Sequence, residues 1–191
     1  MNSPAKVLIQ GIGNPLRSDD ALGPMLIERL EASKLAGNQS TVQVELEWVY
    51  QLQIENAEQW SHFDVVILVD AHASQSEPVN WVELKTPQNG DLAVNGFASN
   101  SVASHALDPL AILCLAEKCY QNVPRAYLLS ICGHNFEMGT ELSNAAQDAL
   151  GEAEQLIQLK LSLFKHTQNF EKIGNQAIPA VDRGVSDPSR P

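Results

Sequence analysis

Five consecutive aliphatic residues, Val65-Val66-Ile67-Leu68-Val69, run between Asp64 and Asp70. Successive side chains of a strand point to opposite faces, so an unbroken apolar run must be covered from both sides. A central strand of a parallel sheet with helices above and below meets that condition, and its parallel neighbours require crossover segments. Such crossovers are legible on both sides of the run. The first begins at Val7, where a short strand to Gln10 bends at Gly11-Ile12-Gly13-Asn14-Pro15 and leads into an amphipathic helix.

That helix is expected from Ala21 to about Lys34, because Leu22, Met25, Leu26 and Leu30 recur at helical spacing. Asp19 or Asp20 falls near its cap, where the helix dipole tolerates negative charge. A polar turn, Gly37-Asn38-Gln39-Ser40, precedes a strand from Val42 to Tyr50 in which alternate residues are apolar. A short helix is expected over Leu52 to Ala57, then the central strand, an outer strand from Trp81 to Lys85, and a long polar loop from Thr86 to Ser104. Loops of that length inside compact domains are usually functional or mobile. A helix over Leu107 to Cys119, a strand over Arg125 to Cys132 and a helix over Leu142 to Phe164 complete the pattern. The alternation predicts one three-layer α/β/α sandwich over residues 1–164, with a mostly parallel sheet of about five strands. Residues 165–191 lose periodicity and gain Pro, Gly, Ser and Asn, which predicts a disordered tail outside the chemistry.

Composition narrows the function. A formal charge of -11 and a pI near 4.7 argue against nucleic acid and anionic membrane as partners, since both need clustered Lys and Arg. The N-terminus lacks a charged segment followed by an apolar one, and no apolar run approaches the roughly 18 residues of a membrane helix, so a cytoplasmic protein is expected. Cys114, Cys119 and Cys132 are odd in number and lack a CxxC spacing. They predict buried thiols in a reducing compartment.

In an open α/β sheet, ligands are held at the carboxyl ends of strands. Three polar groups reach that edge through separate connections: Asp20 after the first strand, Asp70 after the central strand, and His105 at the start of a helix. Two carboxylates and an imidazole suit a divalent transition metal with positions left open. From spacing alone, helix capping by the acids and a surface histidine explain the pattern equally. The glycines of the first turn do not make a nucleotide site, because position 16 is Leu16 where a dinucleotide fingerprint needs a third glycine, and no lysine follows as in a phosphate loop. No GxSxG elbow is present, and the cysteines occupy apolar contexts. His62 and His166 read as surface residues, whereas His72 and His134 lie near the site edge and suit supporting roles. Adjacent residues at a helix start face different directions, so the sequence alone does not show which of Asp19 and Asp20 points inward.

GIGNPLRSDDALG at 11–23, VDAH at 69–72, SVASHALDPLAIL at 101–113 and ICGHNFEMGTELS at 131–143 together resemble the hydrogenase maturation proteases. These endopeptidases trim the C-terminus of the large subunit of nickel-iron hydrogenases. The four motifs occur in the family's order and span about residues 5–160, and the spelling GNPLRSDD looks most like the branch serving soluble, NAD(P)-linked hydrogenases. The resemblance implies that Asp20, Asp70 and His105 bind nickel already inserted in the precursor, with no metal held firmly by the enzyme alone. It implies the same three residues as the catalytic set, with Asp19 assisting as base or capping the helix. The family often has Glu at position 20 and Gly at position 21. Asp20 therefore reaches roughly 1.5 Å less far, about one C–C bond, and Ala21 predicts right-handed backbone.

The implied partner is the nickel-iron hydrogenase large-subunit precursor, docked by a monomer. Two alternatives are distinguishable. Peptidyl-tRNA hydrolase shares the strand and GNP turn but needs a basic surface, which the charge contradicts. A metal-sensing chaperone that binds the precursor without cutting it fits the same incomplete ligand set.

Overall fold

The computed structural model describes residues 4–33, 37–39, 42–73, 76–86, 107–120 and 122–166. Among these, six strands form one sheet: β1 (Ala5–Ile12), β2 (Gly37–Gln39), β3 (Val42–Val49), β4 (Val65–His72), β5 (Val79–Leu84) and β6 (Arg125–Cys132), in the order β2-β3-β1-β4-β6-β5. β3, β1, β4 and β6 run parallel, and β2 and β5 pair antiparallel on the two edges. Four helices, α1 (Leu22–Ala32), α2 (Asn56–Trp60), α3 (Pro109–Tyr120) and α4 (Asn144–His166), complete the α/β/α sandwich.

The apolar run of β4 divides by parity as a doubly covered strand must. Val65, Ile67 and Val69 join the cluster containing Leu22, Leu26 and Leu30 of α1 and Leu150, Ile157 and Leu161 of α4. Val66 and Leu68 join the opposite cluster with Ala57 and Trp60 of α2 and Ile112, Leu113 and Ala116 of α3. All five are fully buried, each contributing about 1.5–3 kcal/mol of hydrophobic stabilisation at most. Along β3 the same alternation weakens toward the carboxyl end: Val42 and Val44 are buried, whereas Trp48 and Tyr50 are exposed.

Several boundaries differ from the sequence reading. The Gly37-Asn38-Gln39 turn is a short edge strand, which makes six strands rather than about five. Edge pairing needs only backbone donors and acceptors, so no apolar pattern announces it. α2 starts at Asn56 rather than Leu52, anchored by fully buried Trp60. A 3-10 turn, Ser18–Ala21, precedes α1. The loop at 87–106 and the tail beyond 166 lie outside the described residues. All three cysteines are thiols, but Cys132 alone is buried and Cys119 is exposed. No helix among the described residues is long and apolar enough to cross a membrane.

The carboxyl end of β1 meets the start of α1 backbone to backbone. A Cβ on Gly23 would lie 2.6 Å from the Ile12 nitrogen and 2.8 Å from the Val69 oxygen, and one on Gly11 would lie 2.5 Å from the Gly23 oxygen. The helix is thereby seated directly on β1 and β4. Gly23→Ala is expected to lower stability by about 3 kcal/mol, a Tm drop of roughly 6–12 °C. Gly151→Ala, with nothing within 4 Å of its would-be Cβ in mid-α4, is expected to stabilise by about 0.5–1 kcal/mol. Thermal melts of the two variants check both signs.

Candidate active site at the carboxyl edge of the sheet

β1 ends at Ile12, and the loop that follows makes two sharp adjustments. Gly13 has φ +145, a conformation that favours glycine, and its N–H donates to Val49 O at 3.1 Å. Ser18 is left-handed at φ 43, strained for a residue with a Cβ, and is held there by its N–H bond to Gly139 O at 2.7 Å. These turns send the two adjacent aspartates in different directions.

Asp19 is completely buried. Its carboxylate accepts from the N–H groups of His134 (2.7 Å), Asn135 (2.9 Å) and Ser143 (2.8 Å) and from the Ser143 hydroxyl (2.7 Å). Ser143 immediately precedes α4, and its Oγ accepts from Ala146 N at 3.3 Å, so it caps that helix. Burial alone would raise the Asp19 pKa, but the donors from His134, Ser143 and Asn135 outweigh it and hold the carboxyl below its ordinary 3.8. Asp19 therefore does not cap the helix that follows it. It ties the first loop to the 133–143 loop, assisted by Arg17, whose guanidinium donates twice to Phe136 O, and by Asp19 N–H to Asn135 O at 2.8 Å.

Asp20 points the other way, accepting from the Asn14 N–H at 3.1 Å. Burial raises its pKa, offset in part by that bond and by the Arg17 charge. Ala21 has φ -75 and ψ -4, right-handed as its side chain predicted. Asp70 stands at the end of β4, the strand beside β1, with Oδ1 accepting from Ala71 N at 2.9 Å. Its pKa is pushed up to about 7, first by burial and then by the negative charge of Asp20. Two carboxyls that repel at the carboxyl edge of adjacent strands form a place where a cation would be stabilised.

His105 lies outside the described residues, three positions before Asp108, whose Oδ1 accepts the Leu110 N–H at the start of α3. Among the described residues no group of three or more His, Cys, Asp and Glu is arranged to hold a metal. Asp20 and Asp70 come together; the predicted third member is not described. His72 ends β4 in register with Cys132, its carbonyl accepting from Gly133 N at 3.1 Å. The His134 side chain is exposed, with Nε2 3.7 Å from the Cys132 thiol, and it is the His134 N–H that serves the site by binding Asp19. Asn14, Arg17 and Ser143 carry positioning roles that sequence reading did not assign. Ser143 fell inside the helix expected from Leu142, which in fact begins at Asn144, so its capping position was not visible.

No family model matches the sequence, and no curated protein does. Solved structures do. The hydrogenase maturating endopeptidase HybD from E. coli superposes with TM-score 0.61 at 20% identity, over 83% of this chain and 93% of HybD. The [NiFe] hydrogenase maturation protease HycI from Thermococcus kodakarensis KOD1 superposes with TM-score 0.55 at 20% identity, over 87% and 96%. The solution structure of an endopeptidase from Escherichia coli gives 0.60 at 21%, over 82% and 93%. The chain has the hydrogenase maturation endopeptidase fold. In that fold the α/β/α sandwich expected from the alternating elements recurs over nearly the full length of the smaller proteins, and Asp20 and Asp70 of this chain share its carboxyl edge.

Asp19→Ala would strand four donors in a dry site and is expected to cost about 3 kcal/mol or more, read as a lower thermal midpoint. The sign of its pH dependence follows from its lowered pKa: the stabilisation is present above 3.8 and is lost as pH falls through the still lower folded value. Asp70 behaves in reverse. Its raised pKa means the folded state disfavours the charged form, so stability is lost progressively as pH rises from 3.8 to about 7 and the loss is constant above that. Asp70→Asn is expected to raise the thermal midpoint at pH above 7, by about 2 kcal/mol in stability, and to change it little near pH 4. Equal effects at both pH values would show that the Asp70 carboxyl is not strained by its neighbours.

Proposed function

We propose that this chain is an endopeptidase that removes the C-terminal extension of a nickel-iron hydrogenase large-subunit precursor. It recognises nickel already seated in that substrate through Asp20, Asp70 and His105. One observation carries the reading: Asp20 and Asp70 face one another electrostatically at adjacent strand ends, in a fold shared with solved hydrogenase maturation endopeptidases. The four sequence motifs in order, with His105 in the third, supply the remaining ligand.

The chemistry follows from what the site holds and lacks. With carboxylate oxygens from Asp20 and Asp70 and an imidazole nitrogen from His105, the enzyme offers half a coordination shell, so it grips an ion only when the precursor supplies the rest. Binding draws the proton off Asp70 and removes the repulsion between the two acids. The grip fixes the scissile peptide relative to the sheet edge. Water is the attacking group, because burial raises the pKa of Cys132 and of Cys114 and no activated nucleophile stands at this edge among the described residues. Nickel carried by the precursor, or a carboxylate near it, would activate the water and polarise the scissile carbonyl. The protein works in the cytoplasm as a monomer.

The test is to incubate the protein with nickel-loaded and nickel-free precursor and follow subunit mass. Cleavage of the loaded form alone is expected, reduced at least roughly a hundredfold by Asp20→Asn, Asp70→Asn or His105→Ala. Stable binding with no change in mass would make the protein a metal-sensing chaperone. Full activity in Asp70→Asn and His105→Ala would remove the assigned site.

A further inference from the structure

Beside the acidic pair, on the β3 side of β1, lies an open cleft of about 320 Å³ lined by Val49, Tyr50, Gln51, Gln53, Glu55 and Asn56. It sits at the small end of the size range of ligand pockets, enough for a few side chains rather than a whole partner surface. We propose that this cleft, walled by Val49 and Tyr50 and charged by Glu55, with the exposed Ile54 adjoining its lining in the chain, docks an extended segment of the precursor next to the scissile bond, one carrying a large apolar side chain flanked by Lys or Arg. The proposal rests on the functional reading above and extends it from the metal to the peptide.

Three observations select this cleft and this occupant. First, it is continuous with the site. Val49 O accepts the Gly13 N–H, and the next residue, Asn14, donates to the Asp20 carboxylate, both at 3.1 Å. A peptide lying in the cleft is thus one strand away from the acids that grip the metal.

Second, apolar surface is concentrated here. Of the nine exposed large hydrophobics among the described residues, Leu16, Trp48, Tyr50, Ile54 and Met138 are at or just beyond the carboxyl ends of β1, β3 and β6. Tyr50 and Ile54 are 61% and 59% exposed, and the Tyr50 ring meets Trp48 edge-on at 5.2 Å. Paired aromatics facing solvent beside a site anchor partners at low entropic cost.

Third, the floor is braced and the lining carries a negative charge. Asn56 Nδ2 donates to Gln59 Oε1 at 3.0 Å, Gln59 Nε2 to Glu47 Oε2 at 2.7 Å, and Gln10, itself fully buried, links Glu47 to the Trp60 indole N–H. A floor held this way loses little freedom on binding. Glu55 is the charged residue of the lining, on a chain of net charge -11, and the charge of the nearby Arg17 is partly offset by Asp20. A basic flank on the occupant complements that field.

The experiment separates the cleft from the metal by using nickel-free precursor, which retains the peptide but not the ion. Its dissociation constant is measured by interferometry against the full chain, alongside mass-monitored cleavage of the nickel-loaded form. Tyr50→Ala, Ile54→Ser and Glu55→Lys are each expected to weaken binding roughly tenfold, and Glu152→Lys, exposed on α4, to leave it unchanged. The surface substitution Ile54→Ser keeps the test valid if Tyr50→Ala fails to fold, as judged by thermal melts. Undiminished binding in the cleft variants, or no binding of nickel-free precursor to the wild type, overturns the docking site. Glu152→Lys weakening as much as Glu55→Lys overturns the basic flank. Absence of cleavage of the nickel-loaded precursor by the wild type, with binding intact and cleft-dependent, overturns the protease reading and leaves the docking site standing.

Discussion

The carboxylate of Asp19 holds the edge of this molecule together. Three backbone N–H groups and one hydroxyl converge on it from a loop that lies more than a hundred residues later in the chain. Each bond alone contributes modestly, but a buried charge without partners is costly and a fully satisfied one is rigid. The knot joins the end of β1, the loop after β6 and the first turn of α4. It also fixes Ser18 in a left-handed conformation that would otherwise relax. Because Asp19 is committed inward, the peptide plane that follows must turn Asp20 away from it.

Two adjacent, chemically identical residues consequently have opposite electrostatics. Asp19 is surrounded by donors and stays ionised below the ordinary range. Asp20 accepts from the Asn14 N–H and has a partial share of the Arg17 charge, and burial, reinforced by the Asp20 charge, pushes Asp70 up to about 7. Opposed environments around paired carboxyls are the arrangement by which one serves structure and the other chemistry. The stability lost at Asp70 is tolerable because the glycine contacts between β1 and α1, the Asp19 knot and the two apolar layers over β4 over-determine the same edge.

Much of this was legible in the residues. The unbroken run at 65–69 required a doubly covered strand, and the parity of its burial matches. Asp70, as the first polar residue after that run, had to lie at the carboxyl edge. The identity of the inward aspartate was not legible, because the partners of Asp19 are 115–124 residues away and act through backbone N–H groups that any residue supplies. β2 was missed for a related reason: edge pairing is a backbone interaction with no side-chain signature. α2 was placed four residues early because its anchor, Trp60, binds the Gln10 side chain in the middle of the first strand, a contact that local periodicity cannot express.

On the function proposed above, a site of this kind would suit testing a metal rather than storing one. A complete set of ligands would bind any available divalent ion and lose the ability to distinguish a loaded partner from an empty one. Asp20 and Asp70 instead repel each other in the absence of a cation, and proton uptake by Asp70 near neutral pH relieves that repulsion cheaply. An ion bound there would therefore have to displace a proton as well as find its remaining ligands elsewhere, which would make retention conditional on the proposed partner. On that reading selectivity for loading would come from what the edge lacks, and selectivity for the polypeptide from surface outside the acidic pair. The cleft at the end of β3, joined to Asp20 through Gly13 and Asn14, is placed to supply it.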